Sequence, residues 1–140
     1  MKVLYTAQAT ANEGREGHVE SSDGFLKFDL TKPKGLGGPE KPGTTNPEQL
    51  FACGYSACFG GAVGFVAGQK KIALNGVEVT AKVDIGLIDA GGLGLGVELM
   101  VRLPGIARAQ AEELVQAAHQ VCPYSKATRG NIEVKLTVLD

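Results

Sequence analysis

The chain is short of the groups that build metal and disulfide frameworks. It has three cysteines and two histidines in 140 residues. No Cys-x-x-Cys occurs, and His18 and His119 lie far apart, so the four closely arranged ligands of a structural zinc site are not expected. An odd cysteine count also fits a disulfide framework poorly. No uninterrupted apolar run reaches about 18 residues, so nothing is expected to span a bilayer. The opening Met1-Lys-Val-Leu-Tyr-Thr6 has no long apolar stretch, so no secretory signal is expected. The expected compartment is the cytosol, where thiols stay reduced and disulfides are catalytic or transient. Neither sign of charge is in excess: 14 basic against 15 acidic residues leave a net charge of −1. That argues against a general affinity for nucleic acid or anionic membranes. The two glycine-rich loops, Gly35–Gly43 and Ala90–Gly96, lack a following Gly-Lys-Ser/Thr and the spacing of a dinucleotide fingerprint. They read as turns and hairpin ends, and no cofactor is expected.

What remains is an ordinary globular composition, 44% apolar and 21% charged, of a length for one domain spanning residues 1–140. Residues 2–11 read as a strand, Asn12–Gly17 as a turn, and His18–Ser21 and Phe25–Leu30 as further strands. A loop from Thr31 to Thr45 is long enough to suggest a function. Asn46 suits a helix N-cap, Pro47 the first helical position, and Gln49 the third position of a capping box. That helix should run to Gln69. Five glycines weaken it, each by up to about 1 kcal/mol, so packing must hold it. Gly60, Gly64 and Gly68 share a face and would let another backbone approach, which predicts a central, buried helix with a close neighbour. Val77–Ile85 and Gly94–Leu103 read as a hairpin, Ala107–Val121 as a helix with Ala111, Leu114, Ala118 and Val121 on one stripe, and Ile132–Leu139 as a last strand. The order β-β-β-α-β-β-α-β predicts an α+β fold, mostly antiparallel sheet with two main helices.

Cys58 lies in mid-helix within Phe51-Ala-Cys-Gly-Tyr-Ser-Ala-Cys-Phe59, and Cys122 ends a helix within Val121-Cys-Pro-Tyr-Ser-Lys-Ala-Thr-Arg-Gly130. Brought together by the fold, they would form a thiol pair able to cycle through a disulfide. Left apart, each is a small buried hydrophobe. The negative end of the helix dipole makes Cys122 a poor first nucleophile but an acceptable second thiol. Cys58 would need a cation to lower its pKa. Cys53 lies about 140° round the helix from Cys58 and reads as core. Phe51, Tyr55 and Phe65 fall near the Cys58 face, with Gly54, Gly61 and Ala62 as bare backbone. They outline an apolar, accessible niche for a greasy substrate, although a plain packing seam gives the same pattern. By themselves, Arg15 is a solvated turn residue and Glu48 a first-turn acid that complements the helix dipole.

Thr45-Asn-Pro-Glu-Gln-Leu-Phe-Ala-Cys-Gly-Tyr-Ser-Ala-Cys-Phe59 closely resembles the first cysteine motif of the organic hydroperoxide resistance proteins. Val121–Ile132 resembles the second. Val3-Leu-Tyr-Thr6, Gly14-Arg15 and Gly35–Gly38 also look like that group, whose wider superfamily includes the OsmC proteins. The resemblance implies a thiol peroxidase that reduces organic hydroperoxides to alcohols, with Cys58 peroxidatic and Cys122 resolving. It implies that Arg15 and Glu48 support the reactive thiolate. It also implies an intertwined homodimer with sites at the subunit interface, and a disulfide reopened by dihydrolipoyl groups of carrier proteins. Cys53 departs from the usual motif, where alanine is common.

Ten residues separate Glu48 from Cys58, about 15 Å on a straight helix. Both cannot touch one guanidinium unless the helix breaks near Gly54 or Glu48 serves Cys58 of another subunit. A site shared between subunits is therefore expected. Three rivals remain open on the sequence: a redox sensor without turnover, a dimeric module binding an apolar ligand, and a peroxidase selective for hydrogen peroxide.

Overall fold

Two compact units make up the chain, Met1–Leu50 and Phe51–Asp140. The structure, a computed structural model, describes all residues from Met1 to Asp140.

In the first unit, three short strands form an antiparallel meander of β1 (Ala9–Asn12), β2 (His18–Ser21) and β3 (Lys27–Asp29). Asn12 stands opposite His18, and His18 opposite Asp29. The expected first strand joins the ladder only from Ala9 onward, with one further bond from Ser22 N–H to the Gln8 carbonyl at 2.9 Å; residues 2–7 lie in no strand of this chain. Val3, Leu4 and Tyr5 are exposed there. A 3-10 turn at Gly14–Glu16 joins β1 to β2 and carries Arg15. The long loop is not structureless. Its two ends pair as Thr45 N–H to the Asp29 carbonyl (2.9 Å) and Thr31 N–H to the Thr45 carbonyl (3.1 Å). Gly38 is required inside it, since the Lys32 carbonyl occupies the place a Cβ would take.

That pairing delivers the chain to the start of α1 (Pro47–Gln69). Asn46 Oδ1 accepts the Gln49 N–H at 2.9 Å, as the capping reading requires. The other half of the capping box is replaced: the Gln49 side chain accepts from Thr45 Oγ1 at 2.7 Å.

The second unit continues along α1 and adds β4 (Glu78–Leu87), β5 (Leu93–Arg102), α2 (Arg108–Val121), α3 (Pro123–Thr128) and β6 (Val134–Leu139). The sheet order is β4-β5-β6, with β4 antiparallel and β6 parallel to β5. The crossover from β5 to β6 runs through α2 and α3. The core draws Tyr55, Phe59, Val63 and Val66 from α1, Val97, Leu99 and Val101 from β5, and Leu114, Val115 and Ala118 from α2. Each large side chain buried this way contributes roughly 1.5–3 kcal/mol.

The class is α+β with mostly antiparallel pairing, as the element order predicts, but with three helices rather than two. α3 is the addition. Pro123 ends α2 as expected, yet it also occupies the first position of a new helix, where its fixed φ and missing N–H cost nothing. Two further points concern α1. The helix carries no charge after Glu48, and by length and composition it is apolar enough to cross a membrane, with a mean hydropathy of 1.6 over 18 residues. Glycine and serine had broken the strictly apolar runs. A core helix passes the same test, and Tyr55, Phe59, Val63 and Val66 are core here. Nor is α1 buried all round: Gly61, Gly64, Phe65 and Gly68 lie uncovered.

Candidate active site

α1 carries Cys58 one turn after the buried Tyr55, and the joint between α2 and α3 carries Cys122. Cys122 closes α2, its N–H donating to the Ala118 carbonyl at 2.9 Å. Its own carbonyl accepts the Lys126 N–H of α3 at 3.0 Å. Its side chain is fully buried, while Cys58 is half-buried. The two sulfurs lie 3.5 Å apart, 64 residues apart in the chain, both as free thiols. The fold thus makes the juxtaposition that the sequence left conditional.

Burial, the chief effect, raises the Cys58 thiol above its ordinary pKa; the adjacent Cys122 raises it further, and the Tyr124 backbone N–H opposes them. Tyr124 also lies across α1. A Cβ at Gly54 would sit 3.1 Å from the Tyr124 hydroxyl oxygen and 3.2 Å from its ring, so glycine is what lets the ring lie there.

The aromatic residues fall in different places. Phe51 is half-buried, with its ring centroid 5.8 Å from Tyr55 and 6.2 Å from Tyr124. Tyr55 is fully buried behind them. Phe65 is 56% exposed, farther along the helix. Cys53, expected in the core, is exposed instead. Its rotation away from Cys58 turns it from the packed face carrying Tyr55 and Phe59. Phe51 also lines a groove of about 620 Å³ with Ile88, Leu93, Leu95, Ala127 and Ile132; Cys58 itself does not line it.

Arg15 and Glu48 meet within the first unit. Two guanidinium N–H groups donate to the two carboxylate oxygens at 2.8 and 2.7 Å, a fork-to-fork pair. The hydrogen bond from Arg15 holds the Glu48 carboxyl below its usual range. α1 is unbroken from Pro47 to Gln69, so Glu48 and Cys58 stand about 15 Å apart along it.

Four polar or aromatic side chains near the thiols were not singled out by sequence: His119, Tyr124, Ser125 and Thr128. Ser125 Oγ lies 2.9 Å from both Tyr55 Oη and His119 Nδ1, and Tyr55 Oη lies 3.1 Å from Thr128 Oγ1. The available signal was spacing, since His119 and Ser125 bracket Cys122 at three residues on either side.

A half-buried thiol on a long helix, touching a fully buried one at a helix joint, makes this an α+β protein of the paired-thiol class. The OsmC-like protein family matches residues 38–137. The organic hydroperoxide resistance protein of Xanthomonas axonopodis pv. citri is 56% identical over 138 residues, 98% of this chain and 96% of that one. OhrB of Bacillus subtilis is 48% identical over 134 residues, 95% and 96% of the two chains. The crystal structure of an organic hydroperoxide resistance protein from Elizabethkingia anophelis superposes with a TM-score of 0.92 at 56% identity, covering 100% of this chain and 99% of that one. The chain belongs to the OsmC-like family, in its organic hydroperoxide resistance branch.

Proposed function

We propose that the protein is a cytoplasmic thiol peroxidase that detoxifies organic hydroperoxides. The observation that carries this reading is the Cys58–Cys122 contact at 3.5 Å, joined to the hydroperoxide resistance names of its relatives. In the first step the Cys58 thiolate attacks the distal peroxide oxygen. The O–O bond breaks, the alcohol leaves, and Cys58 becomes a sulfenic acid. Cys122 then condenses with it, giving a disulfide and water. An external dithiol, proposed to be a dihydrolipoyl group, reopens the bond by exchange.

Cys58 is pushed toward the thiol form within one chain, so the cation that ionises it must come from elsewhere. The Arg15–Glu48 fork has the right chemistry, a permanent charge held in a fixed plane. Because α1 runs straight from Glu48 to Cys58, the fork is proposed to serve Cys58 of a second copy. The segment 2–7, which lies in no strand of this chain, and the open Gly61–Gly64–Gly68 face of α1 support an intertwined homodimer. In it, residues 1–140 act as one working domain; the family match itself runs across residue 50. Phe51 and Phe65 are proposed to border the substrate, with Tyr55 as backing, and the apolar groove beside Phe51 suits an alkyl tail better than hydrogen peroxide.

Steady-state consumption of cumene hydroperoxide with dihydrolipoamide tests the reading. Turnover should exceed that on hydrogen peroxide by at least about tenfold and vanish in Cys58→Ser. A Cys58→Ser protein with undiminished turnover would refute it. Oxidation that stalls after one equivalent with every dithiol tried would favour a sensor.

A further inference from the structure

Cys122 occupies a joint, not the body of a helix. Its backbone leaves the helical region there (φ −59°, ψ 124°), and α3 beyond it is only six residues long. Its N–H and carbonyl are each bonded into one of the flanking helices, and its sulfur must move only from 3.5 Å to a disulfide's roughly 2 Å to close the bond. Displacement by an ångström would therefore matter greatly.

A buried set of hydroxyls ties the corner down. His119, three residues before Cys122, bonds to Ser125, three residues after it, at 2.9 Å. Ser125 bonds in turn to Tyr55 at 2.9 Å, and Tyr55 lies three residues before Cys58 on α1. Tyr55 and Ser125 are fully buried, and no buried side-chain polar atom in the chain lacks a partner. Counting protons orders the set. Thr128 Oγ1 donates to the Ser125 carbonyl at 3.2 Å, so it accepts from Tyr55 Oη. Tyr55 then accepts from Ser125 Oγ, which accepts from His119 Nδ1–H. Each hydroxyl donates once and accepts once. The helix bearing one thiol is thereby tied to both sides of the other.

We propose that Ser125, supported by Tyr55 and His119, is a positioning residue for disulfide closure and so protects Cys58 from over-oxidation. The proposal rests on the peroxidase reading above. In the closing step a sulfur–sulfur bond forms and the sulfenic S–O bond breaks. The Cys122 thiol proton leaves with the hydroxyl as water; the Cys122 sulfur is oxidised and the Cys58 sulfur reduced. The competing step spends a second hydroperoxide, adding an oxygen to Cys58 as sulfinic acid and releasing a second alcohol. A loosened Cys122 loses that race without altering the first attack.

The test uses the full chain as Ser125→Ala, and as Tyr55→Phe, which keeps the ring should Ser125→Ala fold poorly. Rapid mixing with cumene hydroperoxide gives the rate of first oxidation, and intact mass after excess hydroperoxide gives the sulfinic fraction. In Ser125→Ala the first rate is expected within about twofold of the parent. The hydroperoxide concentration that over-oxidises half of Cys58 should fall at least about tenfold, with a smaller fall in Tyr55→Phe. Parent-like resistance in both variants would overturn the proposal. So would a first rate that drops in proportion to the resistance, which is the mark of general loosening. A parent protein that never oxidises at Cys58 would instead refute the peroxidase reading beneath it.

Discussion

Within one chain, burial and the Cys122 sulfur both hold the Cys58 proton on, and a single backbone N–H opposes them. A nucleophile so placed depends on an outside charge. If Arg15 supplies it, Arg15→Ala should move the pH midpoint of Cys58 alkylation upward and slow peroxide reduction at pH 7 by about 10–100-fold. Arg15→Lys should restore little, because a point charge cannot hold both carboxylate oxygens of Glu48. Glu48 itself offers a pH signature. Its folded pKa lies below the unfolded value, so its contribution is fully present above about pH 4.3 and is lost as pH falls through the depressed value. Glu48→Gln should therefore cost about 0.5–1 kcal/mol at neutral pH. In strong acid its denaturation midpoint should match that of the parent. The sequence named these four residues through their motifs. It could not show that Arg15 and Glu48 meet, because they stand 33 positions apart across turn, sheet and loop.

Helix starts were legible because they are local: Asn46, Pro47 and Gln49 signal α1 within four positions. Pro123 signals a stop in the sequence, and α3 is not legible there because a proline that ends one helix can begin the next. Strand pairing was less legible. β6 lies parallel to β5 only because α2 and α3 carry the chain back across the sheet, a choice that no stretch of six residues encodes. The tight fit of α3 on α1 gives a test. Alanine gains about 1 kcal/mol over glycine in a helix interior. At Gly54 its Cβ would press on Tyr124, so Gly54→Ala should show no net rise in denaturation midpoint. His119 adds a pH test at the same corner. Burial, aided by Arg129, lowers its pKa, so the corner's stability is full above about pH 6.5 and declines as pH drops through the depressed value. Protection factors of the α3 amides, taken against the intrinsic exchange rate at each pH, should fall as pH drops below about 6.5, and His119→Asn should flatten that response.

For the protein entire, the apolar side chains left uncovered say the most. Leu4 and Phe25 are 90% and 86% exposed, and a Cβ placed on Gly64 or Gly68 of α1 would meet nothing within 4 Å beyond its own helix. The sequence predicts a close neighbour along Gly60, Gly64 and Gly68; within the chain Val79 lies against Gly60, while Gly64 and Gly68 stay open, and a second copy is proposed to cover them. Gly64→Leu should convert a particle of twice 14.5 kDa into one of 14.5 kDa in sedimentation equilibrium, and should cut turnover with it. Should the parent sediment as a monomer and turn over fully, the shared site would be refuted.

The most direct check on the chemistry is a thiol map after one equivalent of cumene hydroperoxide per chain, read by peptide mass spectrometry. Two thiols should disappear together, as a single linked peptide joining Cys58 to Cys122, while Cys53 stays open to alkylation. A lasting sulfenic acid on Cys58 beside an alkylatable Cys122, or no change at either sulfur, would contradict it.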